Sequence, residues 1–280
     1  MMKKCALMVI VGILLLFCCA VSAEENSVLH SALRSAQTLV AETTQQVASI
    51  KMPRTMTWQQ GGWTDGVYFW QLFINKDSAS NEANNAVLLM KYNLETKEIE
   101  QQSPFMKLNH ANDMTYNAKI GYFVVCHTSP NRNLISYIDP QTLEIVETVA
   151  LPGEREIYCI DYNAATDRYV VGNSGGQSFT ILDGDLNPIS ETHAPTDRTA
   201  ECVTQGVATD DEFIYFVLYK PNEIAVYDWE GNFVTLIELD VGYIEPENIS
   251  VVGDVIYVGC ATKLNMKVFT VSDLKEKVDQ

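Results

Sequence analysis

The chain has no Cys-x-x-Cys pair and no glycine-rich loop ending in lysine. The first absence removes the usual zinc-site spacing, the second a phosphate-binding loop. Its one glycine-rich stretch, residues 172–176, reads as a connection between strands. Basic residues are scarce as well: 19 Lys and Arg stand against 36 Asp and Glu, a formal charge of −17. Such a surface repels nucleic acid and anionic membrane, so neither is expected as a partner. The acids are spread through the loops and do not form a tail, as on a solvated surface.

Cysteine is thin once the first residues are set aside. Of seven cysteines, Cys5, Cys18 and Cys19 belong to an N-terminal segment with its own pattern. Lys3 and Lys4 precede an apolar run over residues 5–21, and Val21-Ser22-Ala23 leads into the polar Glu24. This predicts a secretory signal, residues 1–23, cleaved after Ala23. A retained anchor is the alternative, although the run is short for a bilayer. Phe17 ahead of Cys18 breaks a lipoprotein signal. Cleavage would leave 17 basic and 36 acidic side chains, a charge of −19. The protein is therefore expected to be secreted, periplasmic or at the cell surface, monomeric, and without membrane insertion after cleavage. Cys126, Cys159, Cys202 and Cys260 remain. Export permits a disulfide among them, while Cys126 and Cys159 sit in strand-like runs that suit buried thiols.

What the chain does have is a repeat. Five apolar runs are centred on Tyr68, Tyr122, Tyr169, Tyr215 and Tyr257, and each is followed by a second run ending in a polar turn. Those turns begin at Asn93, Asp139, Asp183, Asp228 and Ser272, separated by 46, 44, 45 and 44 residues. A period in the forties with several short strands per unit predicts β-propeller blades. In the fourth repeat, residues 203–209, 213–219, 224–228 and 233–239 read as four strands joined by polar turns. The fifth repeat is incomplete: its third strand is placed at residues 266–271, and the residues after that strand are too polar for a packed fourth one. Residues 43–50, ahead of the first repeat, are expected to complete that last blade and so remove the ring's exposed edges. The fold class is all-β, a five-bladed propeller. The domains are read as a signal (1–23), an N-terminal arm (24–42) with helical spacing at Leu29, Leu33, Ala36 and Val40, the propeller (43–275) and a polar tail (276–280). Residues 76–85 form one low-complexity insert.

This blade grammar is similar to that of NHL, YncE-like and quinoprotein-like propellers. The phrase Gln205-Gly206-Val207-Ala208-Thr209-Asp210 ahead of Tyr215, echoed by Gln60-Gly61 and Tyr68, looks like the repeat of five-bladed glutaminyl-cyclase-type propellers. The resemblance implies a fold and leaves the function open.

Aligned on their tyrosines, the five repeats open their inner strands with polar residues: Gln60, Asn112 with Asp113, Tyr158 with Glu156, Gln205, and Glu247 with Asn248. His110, Arg155, Arg198 and Glu201 lie just ahead of them. The candidate ligand-binding set is Gln60, His110, Asn112, Asp113, Arg155, Glu156, Gln205 and Glu247, converging on one mouth of the central channel. The same ring could simply hydrate the channel. His110 and Asp113, three apart, suit a base with its orienting carboxylate, or, with His127, metal ligands, or hydrogen bonds that tie a blade junction. Arg132, Arg155, Arg198 and Lys220 suggest a local positive mouth for an acidic glycan or carboxylate. Trp58, Trp63 and Trp70 suit either sugar stacking or core packing. With no complete catalytic set, no metal site and no cofactor motif, the preferred reading is a non-enzymatic module that binds a small polar ligand, a glycan or a protein. The alternative is an exported propeller enzyme using Glu156, Glu201 or Glu247 as general acid or base.

Overall fold

The computed structural model describes residues 27–76, 85–152, 156–173, 178–193 and 203–277. The signal segment, the insert over residues 77–84, Arg155, Arg198, Glu201 and Cys202 lie outside them. A short helix α1 (Val28–Leu33) and a long strand β1 (Thr38–Lys51) precede the first repeat. Blade 1 then runs β2 (Trp58–Thr64), β3 (Tyr68–Ile74), β4 (Val87–Asn93) and β5 (Ile99–Gln102). Blade 2 is β6 (Asp113–Asn117), β7 (Tyr122–Cys126), β8 (Leu134–Ile138) and β9 (Ile145–Ala150). Blade 3 is β10 (Ile157–Asn163), β11 (Arg168–Asn173), β12 (Ser178–Asp183) and β13 (Pro188–His193). Blade 4 is β14 (Val203–Thr209), β15 (Phe213–Tyr219), β16 (Glu223–Asp228) and β17 (Phe233–Glu238). Blade 5 has β18 (Glu245–Val252), β19 (Val255–Ala261) and β20 (Asn265–Glu276), and takes β1 as its fourth strand.

Each recurring tyrosine opens or lies within the second strand of its blade, and the polar turns close by side-chain chemistry. Asn93 Oδ1 accepts the backbone N–H groups of Glu95 and Thr96, both at 2.9 Å. Asp139 does the same for Gln141 and Thr142, and Asp183 for Asp185 and Asn187. These are Asx turns, the physical reason why Asn or Asp recurs there.

Ser272 differs. It opens no turn, because β20 continues through it to Glu276 and pairs with β1 along its length (Ser272 with Thr43, Leu274 with Ala41, Glu276 with Leu39). The polar segment, too polar by itself for a packed strand, is thus held by a partner on its open side. The closing strand likewise starts at Thr38, ahead of the expected residues 43–50. Its first residues, Thr38–Val40, pair in parallel with Leu236–Glu238 of β17. One strand therefore joins blades 4 and 5 into a single eight-stranded sheet and covers an edge of each.

Five apolar clusters fill the five gaps between blades. Leu72 and Leu89 meet Phe123 and Val125 between blades 1 and 2, and Val124 and Ile135 meet Ile160 and Val171 between blades 2 and 3. Phe179 packs on Phe216, and Tyr215 and Val226 on Ile256 and Phe269. The ring closes where Ile50 and Met266 of blade 5 pack on Phe73 and Leu88 of blade 1. Trp63 and Trp70 belong to the first interface, against Tyr116 and Phe123. Cys126, Cys159 and Cys260 are buried free thiols, and burial pushes each thiol up. No helix among the described residues is long and apolar enough to cross a membrane.

Candidate functional site

The inner strands β2, β6, β10, β14 and β18 contact one another in cyclic order around the axis. Four of them carry a register shift at the same end: between Gln59 and Gly62, Ile157 and Cys159, Thr204 and Gly206, and Pro246 and Asn248. A β-bulge leaves its extra residue out of the ladder and re-aims its side chain. The residues so released include Gln60, Tyr158, Gln205 and Glu247, and all four line one cleft of about 740 Å³. In blade 2 the turn before β6 does the same work. Asn109 and Ala111 hold positive φ (56° and 47°), which sends His110 and Asn112 to the same cleft.

The cleft thus gathers Gln60, His110, Asn112, Gln205 and Glu247 from the sequence-derived set, with Gln59, Tyr158 and Glu245. Trp58, Tyr219 and Tyr243 form its rim. The remaining members of the set lie elsewhere. Asp113 is fully buried beneath the mouth. Glu156 is paired with Arg132 at the surface. Arg155 is outside the described residues, as are Arg198 and Glu201. Of the four cations expected at a positive mouth, Lys220 acts on a cleft group, Glu245.

His110 and Asp113 do not form a catalytic pair. Asp113 Oδ2 accepts the backbone N–H groups of Ile160 (3.2 Å) and Val207 (3.1 Å), and Oδ1 that of Met114 (2.9 Å). It ties blade 2 to blades 3 and 4 across the axis. Burial still outweighs those three donors and holds its carboxyl well above the usual range. A two-histidine metal site with His127 is not assembled either. His127 meets Ser136 Oγ at 2.7 Å through Nε2 and Asn109 Nδ2 at 3.0 Å through Nδ1. Burial lowers both His110 and His127 to about 4, so both imidazoles are neutral near pH 7.

Below the mouth the axis is closed. A Cβ on Gly61 would lie 2.5 Å from the Asp113 Cα, and one on Gly206 would lie 3.0 Å from the Asn248 Cα. Asn248 Nδ2 donates to the Gln60 carbonyl at 3.0 Å and completes the plug. One layer further down, Asp161 accepts from Thr115 Oγ1 at 2.5 Å and from Thr209 Oγ1 at 2.7 Å, and burial raises its carboxyl to about 6. Sequence reading passed over this layer. Its signal is a hydroxyl or acid three or four residues after the mouth residue of each inner strand: Thr64, Thr115, Asp161, Thr209 and Ser250.

The mouth is therefore a blind cup. Glu247 in its wall is 5% exposed and has no hydrogen-bond partner among the described residues. Burial first, and then the neighbouring Glu245, hold its carboxyl well above the usual range. Glu245 is also raised by burial, an effect opposed by a hydrogen bond from Gln205 and by Lys220. On the opposite face, His30, Asp210 and Asp211 are the one potential metal-ligand cluster among the described residues. There His30 Nε2 meets Asp210 at 2.9 Å and helps seat α1 on the ring.

No family model and no curated protein matches the chain. Solved structures do. Glutaminyl cyclase of Myxococcus xanthus is 13% identical, with a TM-score of 0.60 over 85% of this chain and all of that one. The tail fibre of Staphylococcus aureus phage P68 is 9% identical, with a TM-score of 0.59 over 82% of this chain and 52% of that one. Streptogramin B lyase aligns at 11% identity with a TM-score of 0.47, over 83% of this chain and 98% of that one. At these identities the likeness speaks to fold alone. The chain is an all-β, five-bladed propeller closed by its N-terminal strand, with glutaminyl cyclase among its structural neighbours.

Proposed function

We propose that this protein is a binding module that takes a small polar ligand in the cup at the channel mouth. The observation that carries the reading is Glu247, a buried carboxyl on the cup wall with no hydrogen-bond partner among the described residues. Leaving such a group unpaired costs about 1–3 kcal/mol, which a ligand donor would recover. Convergent polar groups from all five blades and an aromatic rim fit a site that orients one molecule. A ligand screen by thermal shift tests it, with hits repeated on His110→Ala/Gln205→Ala. Loss of binding in that variant supports the reading, whereas unchanged affinity contradicts it.

Glu247 also favours a second reading. A carboxyl that burial holds well above the usual range can act as general acid and then as base. The Myxococcus xanthus neighbour is named for cyclising a glutaminyl residue, and the same activity is worth assaying here. Ammonia release from a peptide with N-terminal glutamine, abolished in Glu247→Gln, would favour the enzyme.

We further infer that the chain is exported and monomeric, with residues 1–23 as its signal. N-terminal sequencing of native material should begin at Glu24, and recovery of full-length chain from membranes would contradict this.

A further inference from the structure

The cup carries an imbalance of hydrogen-bonding capacity. Four side-chain amides line it, and each turns its nitrogen toward a protein oxygen. Gln59 Nε2 donates to the Thr262 carbonyl (2.9 Å), Gln60 Nε2 to the Gln59 carbonyl (2.7 Å) and Asn112 Nδ2 to the Tyr158 carbonyl (2.7 Å). Gln205 Nε2 donates to the Glu245 carboxylate at 2.7 Å. Backbone carbonyls and carboxylates only accept, so these partners fix which end of each amide is nitrogen. None of the four amide oxygens receives a hydrogen bond from a described residue, and Gln60 Oε1 is a buried orphan. The Glu247 carboxyl is likewise without a donor among the described residues. What is left over at the mouth is acceptors.

Charge points the same way. Glu245 and Glu247 both face the cup, while His110 is neutral at pH 7. Lys263 lines the rim, and Lys220 acts on Glu245 from outside the cup lining. Trp58, Tyr158 and Tyr243 stand around the opening, aromatic surface of the kind that attracts a cation and covers a short aliphatic stem, as the Tyr219 ring already does for Lys220 Nζ at 5.1 Å. An acidic ligand would meet two carboxyls and few free donors. A group with several donors, no acceptor and a positive charge meets complementary partners on every side.

We propose that the channel mouth recognises a primary ammonium group within an aromatic rim, held by the surrounding amide oxygens and by Glu247, which releases its proton to solvent as the cation binds. The proposal rests on the cup being a binding site and names the chemistry it selects. Polyamines, amino sugars and free amino termini all carry that group.

Isothermal titration of the intact chain tests it with 1,4-diaminobutane, D-glucosamine and glycinamide, each beside its fully N-acetylated form (N,N′-diacetyl for the diamine), and with calcium chloride. At least one amine should bind, with acetylation weakening it about tenfold or more, the size of a lost charged hydrogen bond. The amine that binds identifies the source. Glu247→Gln should weaken the same amine about tenfold, whereas Asp254→Asn, on the opposite face where Asp254 accepts from Ser27 beside His30 and Asp210, should leave it unchanged. The acetylation comparison needs no variant, so it stands if Glu247→Gln folds poorly. Amine and acetylated form binding within about twofold of each other would overturn the ammonium assignment and leave the cup a binding site. Calcium binding without amine binding would overturn it too. Silence from every probe at millimolar concentration would count against both readings.

Discussion

Gln205 donates from Nε2 to Glu245 at 2.7 Å, and through that bond blade 4 holds one of blade 5's two mouth carboxyls in place. Removing the amide leaves Glu245 half-buried without this donor. Gln205→Ala is expected to cost about 1 kcal/mol of stability, a loss of a few degrees in Tm, while disturbing ligand binding far more. Melting and titration of the same variant check the pair of effects.

Asp113 should behave in the opposite sense, as a structural tie. Asp113→Ala strips the acceptor from the Ile160, Val207 and Met114 N–H groups in a fully buried site. Unsatisfied donors cost about 1–3 kcal/mol each, so this variant should lose several kcal/mol, and Asp113→Asn, which keeps an oxygen, much less. Gly61→Ala belongs to the same class, since the added Cβ would sit 2.5 Å from backbone that cannot give way. Urea unfolding separates these outcomes, and a wild-type midpoint for Asp113→Ala would contradict them.

Asp161 should contribute more stability on mild acidification, against a loss from His110 and His127, which burial holds at about 4, below the unfolded value of about 6.5. Burial raises the folded Asp161 carboxyl to about 6, above its unfolded value of about 4. A group raised in this way contributes fully below the unfolded pKa and loses its contribution as pH climbs through the folded one. Between about pH 7.5 and pH 5 this single group should add about 1–2 kcal/mol. Asp113 and Glu247 are shifted in the same direction. Asp161→Asn, which can still bond to Thr115 and Thr209, should flatten part of the gain. A difference in urea midpoint between wild type and Asp161→Asn that does not change with pH would contradict the axis as described.

Ring closure depends on β1. Ile50 is fully buried against the first blade, and Ile50→Ala should cost about 2–5 kcal/mol. Deleting residues 38–51 would uncover the edges of β17 and β20 together, so that variant should associate more than the full chain on size exclusion.

The blades were legible because tyrosine-centred strands and Asx turns recur with one period, and closure was legible because an open ring leaves two bare edges. Ser272 misled because a serine before an acid resembles a turn until a partner strand pairs with it. His110 and Asp113 look like a pair at a spacing of three. The positive φ of Ala111 breaks that reading, since it turns one side chain to the mouth and the other to the axis. The bulges at Gln60, Tyr158, Gln205 and Glu247 left no compositional trace, because a bulge is a matter of pairing register. Alignment on the tyrosines nevertheless named all four of these residues, which line the cleft. It missed Glu245 and the acidic character of the mouth, because the cations of nearby loops stand out in an acidic sequence and one more glutamate does not.

The most direct measurement is the titration of the Glu247 side-chain carboxyl by carbon NMR, with Glu247→Gln assigning the resonance. One glutamate carboxyl should remain protonated well above the ordinary range, and its shift should respond when the cup is saturated with ligand. Glu247 titrating among the surface carboxylates, with no response to a ligand that binds the protein, would contradict the cup as the functional site.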